Sequence, residues 1–555
     1  METLSIAAAK APLFAASGTS AATMLEQAVA QYGPRPAMDF FGRRTSYAKL
    51  GRLVSHAAAG LQAFGVAKGV NVGLCLPNCP YYVVMYHAIL KAGATVVNFN
   101  PLYTAHEIEA QSRACDVKMM VTLDLALIQD KIAPLVDKNL FEQVIVCRMA
   151  KALPPLKSLL LRSFKRRDLA EIPGQPPYVE FSDLIWGGKP FTPVAINPAE
   201  DTAVLQFTGG TTGTPKAAML SHANITINVA QLRAVFPEVA LGQERFLAVL
   251  PLFHVFAMTS IMNFGLSIGA EILLMPRLDV KEMMRIIFRC RPTILPGVPT
   301  LFTAICNAAE GMKNPDMRFI KFCISGGAPL AAETQERFER LAHTKILEGY
   351  GLSETSPVVA FNKFGATRLG GVGPAIPGTT IEIRDPANPQ SLLPQGERGE
   401  ICVRGPQVMQ GYYHRPVETA AVFADGSLRT GDIGYLDAEG YLYIVDRIKD
   451  LIITGGYNVY PRTIEEAAYQ HPAVQDAIAI GIADSYRGQV PKLFVTLRAG
   501  ASATPAEILA FLATHLNKIE IPKSVEIRDS LPRTLVGKLS KKELVAEEKL
   551  RAQAG

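Results

Sequence analysis

Ala203-Val204-Leu205-Gln206-Phe207 runs directly into Thr208-Gly209-Gly210-Thr211-Thr212-Gly213-Thr214-Pro215-Lys216. The apolar run reads as a strand, and the stretch from Thr208 to Lys216 suits a loop that wraps phosphate. Glycine lets the backbone come close and point its N–H groups inward. The hydroxyls of Thr208, Thr211 and Thr212 add donors, and Lys216 adds a compact positive charge. The spacing is not that of a Walker A loop, which requires G-x-x-x-x-G-K-[ST]. A flexible Gly/Thr turn is the structural alternative.

Outward from this loop, strand-like and helix-like segments alternate. Val70–Leu76 leads to a helical pattern over Pro80–Lys91, then to Ala94–Phe99, Val117–Leu123 and Gln143–Cys147. Such alternation predicts α/β units around parallel sheet. Further on, Gly378–Arg384, Glu400–Arg404 and Gly440–Val445 are short strand-like pieces between Gly-rich turns, which predicts a smaller β-rich subdomain. Asp446-Arg447-Ile448-Lys449-Asp450 reads as a boundary. The residues after it carry their own pattern, with strands near Ala477–Ile482 and Lys492–Leu497 and helices near Arg462–Gln470 and Pro505–Leu516. The expected fold class is α/β multi-domain: a large N-terminal α/β domain with a β subdomain (1–446), then a small mobile C-terminal α+β domain (447–555).

The chain has 555 residues, ample for more than one core. Hydrophobic residues make up 49% and charged residues 19%, which excludes a disordered chain. A net charge of +6 is mild and calls for no nucleic-acid partner. Eight cysteines are scattered singly with no histidine cluster, pointing to reduced thiols in a cytoplasmic protein. The N-terminus lacks the basic start and apolar core of a signal peptide. Phe246–Ala270 carries no charge and is long enough to span a bilayer, but its scattered polar residues favour a buried helix or pocket wall. Arg148–Arg167 holds seven Lys or Arg and no acid, with Leu156, Leu159, Leu160 and Phe164 at helical spacing. It suits either peripheral contact with the inner face of a membrane or a solvated insert packing its leucines on the body.

Three further motifs carry chemistry. Ser325-Gly326-Gly327-Ala328-Pro329 comes after a strand-like run and leaves room for a flat ligand, though an ordinary turn would look the same. Glu348-Gly349-Tyr350-Gly351-Leu352-Ser353-Glu354 offers an aromatic platform and a carboxylate of the kind that holds Mg²⁺ with substrate phosphates. Thr430-Gly431-Asp432 presents a carboxylate on a turn, suited to ribose hydroxyls. Arg447, Lys449 and Lys538 supply cations, Lys538 at the tip of a Gly turn. Together these parts suit ATP.

With these motifs in this order, from about Tyr32 to Glu547, the sequence resembles the adenylate-forming superfamily of acyl-CoA synthetases. Leu250–Phe256, Ile401–Tyr413, Val445–Asp450 and Leu153–Lys157 look most like bacterial long-chain fatty-acid–CoA ligases. The resemblance implies an AMP-forming acid–thiol ligase whose substrates are ATP, a medium- or long-chain fatty acid and CoA. Ligases for an aryl or dicarboxylic acid, or a fatty acyl-AMP ligase feeding a carrier protein, are the alternatives. By the same resemblance, Thr208 to Lys216 hold the pyrophosphate portion, and Gly326, Gly327, Ala328, Pro329, Tyr350 and Gly351 surround adenine. Asp432 binds ribose, Arg447 reaches the nucleotide, and Glu354 holds Mg²⁺. Lys538 bridges carboxylate and α-phosphate. His254, Val255, Met258 and Gly297 line the acid pocket. Lys449 is the hinge, and Gly455, Gly456 and Tyr457 face CoA. A homodimer is carried with this reading. Gly209 stands where the family commonly has Ser.

Overall fold

The computed structural model describes residues 18–186, 190–208, 215–312, 315–328, 330, 332–455, 457–534 and 539–554. Two eight-stranded sheets make up the large domain. In spatial order the first runs Val358–Phe361, Ile346–Gly351, Phe322–Gly326, Ile294–Gly297, Arg245–Ala248, Glu271–Leu274, Pro36–Phe40 and Arg43–Ser46. The second runs Gly411–Tyr412, Lys216–Ser221, Thr202–Thr208, Thr95–Asn98, Asn71–Leu74, Met119–Leu123, Gln143–Cys147 and Tyr178–Glu180. Both are parallel inside and carry antiparallel strands at an edge. Their central strands are buried along their length, as expected where helices cover both faces.

Local chemistry sets the helices. Pro80 starts the helix Pro80–Lys91, where its missing N–H costs nothing, and Lys91 lies in the last turn near the negative end of the dipole. Thr104 and Glu107 form a capping box on Ala105–Ala114. Asn78 ties the sheets together: its Nδ2 donates to the carbonyls of Ala248 (2.9 Å) and Leu250 (2.8 Å), and its Oδ1 accepts from Leu252 N–H (2.7 Å).

The apolar stretch 246–270 divides into a strand end and the helical turns Val255–Ser267, the middle of which, Met258–Asn263, is π-helical and wholly buried. No helix among the described residues is long and apolar enough to cross a membrane. All eight cysteines are buried and unpaired.

A five-stranded antiparallel sheet, with Thr380–Arg384, Gly399–Arg404, Ser427–Leu436, Phe423–Ala424 and Leu442–Arg447, forms the β-rich subdomain. A last sheet is built from Tyr457–Val459, Ile452–Thr454, Gly488–Leu497, Val474–Asp484 and Ser524–Ile527, with the helices Pro461–Tyr469, Pro505–Ala513 and Lys542–Ala554. It has its own apolar core around Ile464, Leu493, Val495, Ile508 and Leu512.

Two expectations are corrected. Asp432 lies inside the strand Ser427–Leu436, not on a turn. Gly431 has the positive φ (+73) that reads locally as a turn; the register to Gly399–Arg404 shifts there, between the pairs Glu400–Ile433 and Cys402–Arg429, so Gly431 sits in a bulge of the strand and Asp432 is held by its pairing with Arg447 on the other side. Leu156, Leu159, Leu160 and Phe164 do not pack on the body: Leu156, Leu159 and Phe164 are 70%, 61% and 83% exposed, and no residue of the helix Pro155–Phe164 is fully buried, although Leu153 and Leu161 do meet the core.

Candidate active site

The glycine- and threonine-rich loop joins two antiparallel strands, with Thr208 paired to Lys216. Residues 209–214, which carry the expected pyrophosphate contacts of Gly209, Gly210, Thr211, Thr212 and Gly213, lie outside the described residues. The hairpin fixes both ends of that loop. The return strand Lys216–Ser221 also pairs with Gly411–Tyr412, setting the Lys216 ammonium 5.5 Å from the centre of the Tyr412 ring. That separation allows a cation–π contact.

Tyr412 connects the hairpin to Glu354. Its hydroxyl donates to Glu354 Oε1 at 2.8 Å, and the Glu354 carbonyl accepts from Met409 N–H at 2.8 Å. Burial raises the Glu354 pKa, and the tyrosine hydrogen bond opposes that rise. No cluster of three or more metal-ligating side chains occurs among the described residues. A single half-buried carboxylate still fits Mg²⁺, which binds proteins through one or two carboxylates while substrate phosphates and water complete its shell.

Tyr350 and Asp432 meet between the large domain's first sheet and the β-rich subdomain. The Tyr350 hydroxyl donates to Asp432 Oδ2 at 2.6 Å, and Arg447 Nε lies 3.3 Å from Asp432 Oδ1. Arg447 is opposite Asp432 on the neighbouring strand. Burial raises the Asp432 pKa, while Arg447, the Tyr350 hydrogen bond and Lys449 pull it back. Burial and the adjoining carboxylate push the Tyr350 hydroxyl well up, so it remains a donor. Asp432 thus has both oxygens engaged, and Tyr350, only 8% exposed, is less open as a stacking platform than its motif suggests.

The glycines beside it serve close approach. Gly326 pairs with Gly349 on adjacent parallel strands, Gly327 has φ +81, and a Cβ on Gly351 would strike the Pro357 carbonyl oxygen at 2.0 Å. Ala328 is next in the same loop, and Pro329 lies outside the described residues.

The residues expected to line an acid pocket adjoin these glycines. A Cβ on Gly326 would meet the Phe256 ring at 3.3 Å, and Gly297 pairs with Ser325 on the next strand. His254 caps the short helix Val255–Ala257, its Nδ1 accepting from Phe256 N–H at 3.3 Å. Val255 and Met258 are buried in the core. A Cβ on Gly297 would press on Leu301 and Phe302, which ties that glycine to helix packing.

On the C-terminal side, Lys449 sits in a short 3₁₀ turn, and burial lowers its pKa. Gly455 has φ +57 and Tyr457 is 64% exposed. Gly456 and Lys538 lie outside the described residues. The segment carrying Lys538 is bracketed by the Arg533–Leu539 bridge and by Ser540 N–H donating to the Pro532 carbonyl at 2.8 Å.

Sequence reasoning did not single out several partners. Tyr412 is one. Asp446 accepts from Arg462 N–H at 2.8 Å, and Arg462 Nη1 donates to the Ile444 carbonyl at 2.6 Å, so the last sheet's helix is pinned to the boundary strand. Glu465 and Lys541 form an ion pair at 3.1 Å. Burial opposes the charge on Lys541, and Glu465, Asp446 and Asp450 together outweigh it. Glu348 accepts from Leu330 N–H at 3.3 Å and is pushed up to about 7 by burial. It was visible within its motif, but its register on a buried strand was not.

Comparison with known proteins now adds family. Residues 25–413 match the AMP-binding enzyme family, and 463–538 match the AMP-binding enzyme C-terminal domain. The long-chain-fatty-acid–CoA ligase of Bacillus subtilis (strain 168) is 39% identical over 530 residues, 95% of this chain and 94% of that one. The 4-coumarate–CoA ligase 1 of Arabidopsis thaliana is 32% identical over 515 residues, 91% of this chain and 88% of that one. Among solved structures, ATP-bound MatB from Rhodopseudomonas palustris superposes with a TM-score of 0.82 at 28% identity, covering 96% of this chain and 99% of that one. The chain belongs to the AMP-binding enzyme family.

Proposed function

We propose that this member of the AMP-binding enzyme family ligates a medium- or long-chain fatty acid to CoA through an acyl-AMP, releasing AMP and pyrophosphate. The observation that carries the reading is the continuity of two hydrogen-bonded pairs, Tyr350–Asp432 with Arg447 and Tyr412–Glu354 with Lys216, around the ends of the phosphate-type loop. Ligases named for long-chain fatty acids are among the relatives of higher identity, which favours an aliphatic acid. The coumarate ligase keeps the aryl alternative in view.

In the first step, a carboxylate oxygen of the acid attacks the α-phosphorus of ATP, forming the acyl–phosphate bond as pyrophosphate leaves. Two anions must meet, so a fixed cation at the developing charge lowers the barrier. Lys538 fills that role in this reading, Lys216 and the loop hydroxyls take pyrophosphate, and Asp432 accepts from ribose. Glu354 would hold Mg²⁺, which neutralises phosphate charge. In the second step the CoA sulfur attacks the acyl carbonyl carbon and AMP leaves, its phosphate taking the bonding pair. The domain boundary at 446/447 and the hinge at Lys449 serve this order: rotation withdraws Lys538 and brings Gly455, Gly456 and Tyr457 to the thioester site. The exposed helix Pro155–Phe164 adds peripheral membrane contact, where acids of this class partition.

ATP–pyrophosphate exchange without CoA tests the acid. Hexadecanoate and decanoate should support exchange at least tenfold faster than benzoate or malonate, since each extra buried methylene contributes about 0.8 kcal/mol. Benzoate in the lead would move the reading to the aryl alternative. Lys538→Ala should slow exchange about a thousandfold, as loss of a transition-state donor does, while thioester formation from supplied acyl-AMP survives. Equal loss of both steps would remove the division of roles.

A further inference from the structure

Beside the exposed helix lies a cleft of about 320 Å³, remote in sequence from the nucleotide motifs. Arg43, Lys49, Arg148 and Lys151 line it together with Phe181 and Trp186. Cations thus meet an apolar, aromatic lining. Glu180 engages Arg148 at 2.6 Å and Lys151 at 3.3 Å, and Asp124 lies 3.9 Å from Arg148, so four cations face two carboxylates. Trp186, at the mouth, is 81% exposed. An indole left in water by a folded chain suits the zone between headgroups and acyl chains.

The cleft wall continues into the helix. Met149–Ala152 carries Lys151, and after Leu153 and Pro154 the chain enters Pro155–Phe164. Leu156, Leu159, Leu160 and Phe164 keep i, i+3, i+4, i+8 spacing and are all exposed. Leu161, on the opposite side, packs on the core. Arg162, Lys165 and Arg167 have no ion pair among the described residues. A helix that shows leucines outward beside unpaired cations suits an anionic bilayer interface.

We propose that this cleft binds the phosphate headgroup of an anionic phospholipid whose acyl chains stay in the bilayer beside the leucine face. The cations supply charge complementarity, the open mouth excludes a fully enclosed acyl chain, and Trp186 sits where headgroup and chain meet. The proposal rests on reading Pro155–Phe164 as an interfacial helix, and the two fail separately.

Trp186 is the chain's single tryptophan, so its fluorescence reports on this cleft alone. Monomeric dihexanoyl-phosphatidylglycerol, added to the full-length protein below its micelle concentration, should shift Trp186 emission to the blue saturably. Lys49→Gln with Lys151→Gln should weaken that response about thirtyfold, as expected from about 1 kcal/mol for each of two basic residues near an anionic lipid, and leave ATP–pyrophosphate exchange unchanged. Dihexanoyl-phosphatidylcholine should act weakly. An equal response to phosphatidylcholine, a response to decanoate in place of phosphatidylglycerol, or no response at all would overturn the proposal. Leu159→Ser with Phe164→Ser should lose sedimentation with phosphatidylglycerol vesicles but keep the Trp186 response. Unchanged sedimentation would remove the helix reading while leaving the cleft tested on its own.

Discussion

The surroundings of Asp432 and Glu354 and the helix Pro155–Phe164 break the same rule in opposite directions. At Asp432 the protein keeps a carboxylate inside and at Glu354 a half-buried one, each held by a tyrosine hydroxyl. Along Pro155–Phe164 it keeps leucines and a phenylalanine outside, with no residue buried. Buried charge is costly unless paired, and exposed apolar surface is unfavourable unless something covers it. The first region is therefore read from contacts already made inside the chain, the second from a contact the chain by itself does not make.

The sharpest way to break the contrast is to disturb the inside. Asp432→Asn keeps the shape but removes the charge facing Arg447 and the strong acceptor for Tyr350. The KM for ATP should rise about ten- to a hundredfold, the range for losing a charged hydrogen bond at about 1.5–3 kcal/mol. An unchanged KM would make Asp432 structural only. Tyr412→Phe should act more mildly. Glu354 loses its donor, its pKa climbs further, and the Mg²⁺ concentration for half-maximal rate should rise about fivefold, most clearly at low pH, on the scale of one hydrogen bond. A flat response would detach Tyr412 from the metal.

Glu348 sharpens the comparison through pH. Its folded pKa of about 7 lies above the ordinary carboxyl value of 4.5, so the folded state holds the proton more tightly than the unfolded one. The stability from that proton is complete below about pH 4.5 and is lost as pH rises through about 7. The native chain should therefore lose thermal stability between pH 5 and 8, and Glu348→Gln should flatten that decline. An identical pH slope in both proteins would count against it.

The outside should give the smallest effect on folding. Leu156→Ser, Leu159→Ser and Phe164→Ser together should change stability by no more than about 0.5 kcal/mol each, as for exposed positions. A fall of several kcal/mol would mean that these side chains pack after all.

The sequence was most legible where periodicity is local. Pro80–Lys91 and Gln143–Cys147 match their expected bounds, because a proline start or an apolar strand run marks them without outside help. The return strand Lys216–Ser221 was not anticipated. Lys-Ala-Ala-Met-Leu-Ser has no β-branched residue, and its extended state depends on pairing with Thr202–Thr208 and Gly411–Tyr412. Tyr412 was missed for the same reason: it lies 58 positions from Glu354, and only the sheet edge brings them together. Asp432 was assigned to a turn, since Gly431 carries the local signal; the strand bulges there, and pairing of Asp432 with Arg447 on the neighbouring strand keeps it extended. The exposed leucines show the opposite limit. Helical spacing identified their shared face, but spacing alone does not say whether that face looks to the core or to solvent.

The account is tested most directly by the products of one incubation. Purified protein with ATP, Mg²⁺, hexadecanoate and CoA should yield hexadecanoyl-CoA, AMP and pyrophosphate in equal amounts, with AMP release dependent on both acid and CoA. ADP and inorganic phosphate as products, or acyl-AMP accumulating with no thioester whichever acid is offered, would contradict it.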